Sequence, residues 1–212
     1  MENFFRMSLF MPPISPIKDK ATGRTLKSAT LTPLRTVELS EVYQLVTANA
    51  KLAALTLDVR DAALRGDDNA CRLLKQQTLP YVTPCGVFTR RRSDCIEEQS
   101  GLMVVDIDHL DSTEEAEKLR QQLFDDPYLC PALVFVSPTG RGVKAFVPCI
   151  PGQNTSDGIY WAMNYVHCMY DTDQQQSEKG VDTSGKDLVR SCFLCHDPKA
   201  LIRICLLYTS DA

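Results

Sequence analysis

The hydrophobic rhythm of the chain changes at Pro80. Before it, apolar residues return at helical spacing. Ser40 is placed to cap a helix carrying Val42, Leu45 and Val46, and a second helical run extends from Lys51 to about Leu64. Gly66-Asp67-Asp68 breaks the chain and starts a third helix, Asn69 to Gln77, which Pro80 stops. After Pro80 the pattern predicts strands. Val82 to Thr89 is a short one, and Gly101 to Leu110 (G-L-M-V-V-D-I-D-H-L) reads as a buried strand ending in acids. Ser112 or Thr113 opens a helix, Glu114 to Phe124, with acids in its first turn. Ala132–Ser137 and Val143–Val147 are predicted strands flanking the P-T-G-R-G turn of a hairpin. Residues 156–170 predict a helix whose core stripe is Trp161, Tyr165 and Met169. A polar loop, Asp171–Gly180, then leads to a last strand, Leu188–Leu194. Helices first, then strands alternating with helices, indicate an α/β or α+β domain.

The two ends break this pattern. Residues 1–36, with P-P-I-S-P at Pro12–Pro16 and Pro33, predict an irregular N-terminal arm. At the other end, L-I-R-I-C-L-L-Y-T-S-D-A follows H-D-P-K-A without turn logic, so residues 201–212 are expected to be a non-native tail on a truncated domain spanning 37–200.

Composition narrows the class. The 212 residues are 44% hydrophobic, enough for one proper core. The longest apolar runs, such as Leu102–Val105 and Leu133–Val136, are far too short to span a bilayer, and Glu2 and Arg6 make the start a poor secretory signal. Nine cysteines at irregular spacing suit free thiols in a reducing compartment. A cytoplasmic protein with no membrane partner is therefore expected. The net charge of −4 argues against a strongly basic nucleic-acid binder. Its distribution says more: residues 1–100 carry a net +3 and residues 101–212 a net −7. That split suits a protein holding a polyanion on one side and cations on the other.

Three segments carry candidate chemistry. In Asp106-Ile107-Asp108, alternation along the strand puts both carboxylates on one face, where a divalent cation would relieve their repulsion. In S-P-T-G-R-G-V-K, Ser137 to Lys144, glycines 140 and 142 let backbone amides approach an anion, while Arg141 and Lys144 supply charge. The P-loop spacing is absent. In V-D-T-S-G-K-D-L-V-R-S-C-F, Val181 to Phe193, Asp182 or Asp187 offers a third acid for a two-metal centre, and Arg190 accompanies it. Cys192-Phe-Leu-Cys195-His196 matches the haem-attachment spacing, but it falls on a predicted strand of a chain with no export signal. Arg90-Arg91-Arg92 is either a grip on template phosphates or a solvated turn.

D-I-D-H-L, S-P-T-G-R-G-V-K and V-D-T-S-G-K-D-L-V-R-S-C-F-L-C-H-D-P, with L-P-Y-V-T-P-C-G-V-F upstream, together resemble the VirE N-terminal domain. This is a primase-like domain of bacterial mobile-element proteins and looks like a branch of the archaeo-eukaryotic primase superfamily. The resemblance covers roughly residues 40–200. It implies an α+β fold: an RRM-like primase-polymerase catalytic core with an N-terminal helical portion. It also implies Asp106, Asp108 and Asp182 as catalytic ligands of Mg2+ or Mn2+, and Ser137, Arg141, Lys144 and Arg190 as contacts to nucleoside triphosphate. The implied partners are a single-stranded DNA template and a downstream helicase domain.

One departure stands out: Lys144 occupies the place where that superfamily usually has histidine, and lysine binds phosphate only as a point charge. The expected function is a nucleotidyltransferase of a mobile-element replication protein. The alternatives are a non-catalytic nucleic-acid-binding module fused to a helicase and, at greater distance, a D-x-D glycosyltransferase.

Overall fold

Residues 5–150, 155–170, 180–181 and 187–203 are described by the computed structural model. The chain begins with β1 (Arg6–Phe10), a small hairpin of β2 (Ile17–Lys18) and β3 (Thr25–Lys27), and β4 (Arg35–Glu38). The helices α1 (Leu39–Ala48), α2 (Ala50–Leu64) and α3 (Asp68–Thr78) follow, then β5 (Tyr81–Thr83) and a second hairpin of β6 (Gly86–Phe88) and β7 (Ile96–Gln99). Local chemistry sets the helix starts. Glu38 and Glu41 form a capping box on α1, which puts the cap two residues before the expected Ser40. Asn49 and Asp67 accept the amides of Leu52 and Ala70, opening α2 and α3.

The second half supplies β8 (Leu102–Asp108), α4 (Thr113–Asp125), β9 (Leu133–Val136), β10 (Val143–Pro148), α5 (Thr155–Met169) and β11 (Gly180–Val181). This is a β-α-β-β-α-β succession. Its strands lie antiparallel in the order β11-β8-β10-β9, and β13 (Leu201–Ile202) extends the β9 edge. A separate four-stranded sheet has the order β12-β5-β1-β4, where β12 is Cys192–Phe193. The protein is therefore mixed α+β.

Strand alternation decides what each face of the five-stranded sheet does. Met103, Val105 and Ile107 of β8, with Val143, Ala145 and Val147 of β10, pack under Leu119 and Leu123 of α4 and Ile159 and Val166 of α5. Leu102 and Val104, with Phe146 of β10 and Phe135 of β9, point the other way. They join a core with Val42, Val46, Leu52 and Val59 of the helices and Met7, Leu9 and Val82 of the first sheet. Asp106, Asp108 and Lys144 continue this second face beyond its apolar part, so the fold turns them towards the N-terminal half.

Four expectations need correction. The N-terminal arm is not irregular throughout: β1 is an inner strand of its sheet, with Met7, Ser8, Leu9 and Phe10 all buried. The proposed tail contributes to the fold at its start. Leu201 and Ile202 pair with Val134 and Leu133, and Arg203 donates to the Phe124 carbonyl; residues 204–212 lie outside the described residues. The Leu188–Leu194 strand reduces to Cys192–Phe193 and pairs with β5 in the other sheet. On α5 the core stripe is Ile159, Ala162, Met163 and Val166, while Trp161 stacks on Tyr165 at the half-exposed edge and Met169 is exposed. Tyr165 and Tyr170 then donate to Asp126 at the end of α4. Burial works against the Asp126 charge, but those two hydroxyls and the amides of Tyr128 and Leu129 outweigh it and hold the carboxyl below its ordinary range.

Candidate functional site

The two sheets meet at a cleft of about 510 Å³. Asp106 and Asp108 line it from β8, Lys144 from β10 and Ser137 from the turn between β9 and β10. Asp106 and Lys144 are cross-strand partners in register, so their side chains leave the sheet side by side. The Lys144 ammonium donates to Asp106 Oδ2, and both side chains are almost wholly buried, at 7% and 13% exposure. A guanidinium nitrogen of Arg190 lies 3.9 Å from the same oxygen. Asp106 Oδ1 is buried and has no hydrogen-bond partner among the described residues.

Burial raises the Asp106 carboxyl above its ordinary range; Lys144 opposes this and Asp108 adds to it. Burial also disfavours the charge on Lys144, but Asp106, with Cys192 and Asp108, overcomes it and holds the ammonium above its ordinary range. The neighbouring Cys192 thiol is pushed up to about 12 by burial, which leaves it protonated and poorly nucleophilic.

The turn that carries Ser137 is closed on itself. The Ser137 amide donates to Gly142, the Gly140 amide returns to Ser137, and the Ser137 and Thr139 hydroxyls lie 3.2 Å apart. Gly140 has φ +78°, a conformation that glycine adopts without strain. Gly142 is needed for space: a Cβ there would overlap the Ile107 carbonyl and stand 3.2 Å from Asp108 Oδ1. Immediately after Asp108, His109 takes φ +61°, and the chain returns so that Leu110 donates its amide to Arg141.

Of the residues singled out from sequence, Asp106, Asp108, Ser137, Lys144 and Arg190 are brought into the one cleft, and Asp187 is with them. Arg141 is not. Its side chain is exposed and its Nε donates to the Leu110 carbonyl at 2.8 Å, outside the cleft lining. Asp182 lies outside the described residues; Val181 before it pairs with Ile107. Lys75 of α3 and Arg91, which follows β6, also line the cleft. Lys75 escaped sequence reasoning, because a lysine in the last turn of an amphipathic helix looks like an ordinary solvated charge.

The donor set suits a hard divalent cation. Asp106 Oδ1 is a buried carboxylate oxygen with no partner among the described residues, Asp108 adds a second carboxylate, and Mg2+-type ions take one or two carboxylates and complete their shell with water and phosphate oxygens. Among the described residues no group of three or more His, Cys, Asp or Glu side chains forms a metal site. Among them, too, no helix is long and apolar enough to cross a membrane.

Behind the turn, the H-D-P segment is a structural clamp. Asp197 Oδ1 and Oδ2 both accept from Arg120 Nη1 at 3.0 Å, and Asp197 also accepts the amides of Val136 and Lys199. His196 Nδ1 meets the Val46 carbonyl at 3.0 Å, and the Cys195 thiol donates to the Val136 carbonyl. These residues thus hold the end of β9, one residue before Ser137.

No curated protein and no solved structure matches the chain. The profile of the family described as BT4734-like, N-terminal domain, matches residues 74–201, more than half of the chain and the stretch that carries nearly all of the cleft. The chain belongs to the BT4734-like, N-terminal domain family.

Proposed function

We propose that this domain is a primase-like nucleotidyltransferase that joins nucleoside triphosphates on a single-stranded nucleic-acid template. The observation that carries the reading is the meeting of Asp106, Asp108 and Lys144 on one sheet face, inside a cleft of small-molecule size. The β-α-β-β-α-β succession with strand order β11-β8-β10-β9 is also what an RRM-like primase core requires. In the reaction, a primer 3′ oxygen bonds to the α-phosphorus of the incoming nucleotide. The bond from that phosphorus to the β-phosphate oxygen breaks, and pyrophosphate leaves. Mg2+ or Mn2+ at the carboxylates would acidify the 3′-hydroxyl and offset the charge on the departing phosphates. Asp106 and Asp108 are the residues to hold it, with Asp182 as the proposed third acid. Lys144 orients Asp106 through its ion pair and is a point charge towards phosphate. Ser137 presents a hydroxyl to the same space. A template strand and a downstream helicase domain are the partners this role calls for.

One observation favours a second reading, a binding module without catalysis: the ammonium of Lys144 already occupies Asp106 Oδ2, where the resemblance leads one to expect a neutral imidazole. Template-directed primer extension with Mg2+ or Mn2+ separates the two. The wild-type chain is expected to extend a primer, and Asp106→Asn to lose at least about 100-fold in rate while melting at a similar temperature. Strand binding by the wild type with no extension under either metal would leave the binding module as the better description.

A further inference from the structure

The cleft has a basic wall besides its carboxylates, and the N-terminal half of the chain supplies it. Lys75 reaches the cleft from the last turn of α3. Its ammonium makes no ion pair or hydrogen bond among the described residues. Arg91 is held more firmly. Its guanidinium lies over the Tyr81 ring at 5.4 Å, Nη2 donates to the Ile14 carbonyl at 2.6 Å, and Nε is buried without a partner among the described residues. The three consecutive arginines are thereby sorted: Arg92 pairs with Asp94 at the surface, Arg90 is exposed, and Arg91 alone lines the cleft.

The other cations have duties already. Lys144 and Arg190 stand against Asp106, and Arg141 is tied to Leu110 outside the cleft. Two cationic groups lining a small cleft, one of them with a buried N–H unpartnered among the described residues, suit an anion there. The 510 Å³ volume fits a mononucleotide rather than a length of strand, and Phe193, Val189 and Ile14 give the same cleft an apolar portion for a base.

We propose that Lys75 and Arg91 bind the phosphate chain of the nucleoside triphosphate, doing from the N-terminal half what the turn arginine does not. This rests on the nucleotide reading above, and it makes α3 and the segment after β6 part of the substrate site instead of a scaffold beside it. Both are substrate-binding residues: they hold the β- and γ-phosphates so that the α-phosphate lies towards Asp106 and Asp108.

The test measures binding of ATP, adenosine and inorganic triphosphate, with Mn2+ present, to the wild-type chain and to Lys75→Met, Arg91→Met, Asp106→Asn and Arg92→Ala. Lys75→Met and Arg91→Met are each expected to weaken ATP and inorganic triphosphate roughly tenfold, as loss of a charge-assisted hydrogen bond does, and to leave adenosine unchanged. Arg92→Ala is expected to bind as the wild type does. Lys75 is only half buried, so Lys75→Met carries the test if the Arg91 variant fails to fold. If ATP binds the wild type and needs Asp106, yet is indifferent to Lys75 and Arg91, this inference fails and the nucleotide reading stands. If the two variants lose affinity for a single-stranded oligonucleotide but not for ATP, the basic wall serves the strand and the inference is again overturned. A wild-type chain that binds neither ATP nor inorganic triphosphate overturns both.

Discussion

Asp197→Ala is expected to destabilise the protein by about 3–5 kcal/mol, the loss that follows when one partner of a buried ion pair is removed. The pair is closed to water, with Arg120 and Asp197 exposed by only 7% and 6%. Arg120 Nε has no partner among the described residues even now, so deleting the carboxylate would strand most of a buried guanidinium. The Val136 amide would lose its acceptor as well, at the last residue of β9. For a chain of this size the change corresponds to a fall in Tm of roughly 6–20 °C. Calorimetry or denaturant unfolding reads it directly. Replacing the pair together, as Arg120→Met with Asp197→Leu, is expected to cost much less than the single change, because the desolvation of both charges disappears with them. A single variant that melts within a degree or so of the wild type would mean that the pair is solvated in solution.

The second large effect is expected at Gly142. A methyl group there would overlap the Ile107 carbonyl oxygen, which is backbone, and would press on Ser137 Oγ at 3.0 Å and Asp108 Oδ1 at 3.2 Å. Relief requires β8 and β10 to part beside the Asp106–Lys144 pair. Overpacking of this kind costs about 1–3 kcal/mol. The sharper consequence is functional: Gly142→Ala should lose nucleotide binding even in preparations that remain folded, since the strain falls on Asp108 itself. Gly23→Ala is the matching control. Gly23, unlike Gly142, has a positive φ, +69°, but nothing lies within 4 Å of its would-be Cβ. It should therefore cost only the backbone strain, on the order of 1–2 kcal/mol, and leave binding intact. Equal nucleotide affinities for Gly142→Ala and the wild type would show that the close approach of the two strands is not needed at the site.

The parts of this fold legible in the sequence are those whose signals are local. Four apolar residues before Asp106, the acids opening α4 and the glycines between two largely apolar runs each announce themselves within a few positions, and β8, α4 and the β9–β10 hairpin lie there. Alternation was enough to place Asp106 and Asp108 on one face. The strand β1 was hidden because it lies inside a sheet, where all of Met7–Phe10 is buried and no polar alternation marks a solvent side. Ser8 sharpens the point: its hydroxyl accepts from and donates to the backbone of Phe88, eighty residues away, so a polar residue reads as surface until the partner is seen. Cys192 and Phe193 have strand character, but nothing local tells which of two sheets they join. The basic wall was illegible for the same reason. Arg90, Arg91 and Arg92 are chemically identical neighbours, and only the Tyr81 ring and the Ile14 carbonyl select the middle one.

The central claim is that Asp106 and Asp108 form a divalent-cation and nucleotide site. Its most direct test is a Mn2+ titration followed by electron paramagnetic resonance, with and without ATP, on the wild-type chain and on Asp106→Asn. The prediction is Mn2+ binding by the wild type that ATP tightens, with both the binding and the tightening weakened at least about tenfold in the variant. Identical Mn2+ and ATP affinities in the two proteins would contradict it.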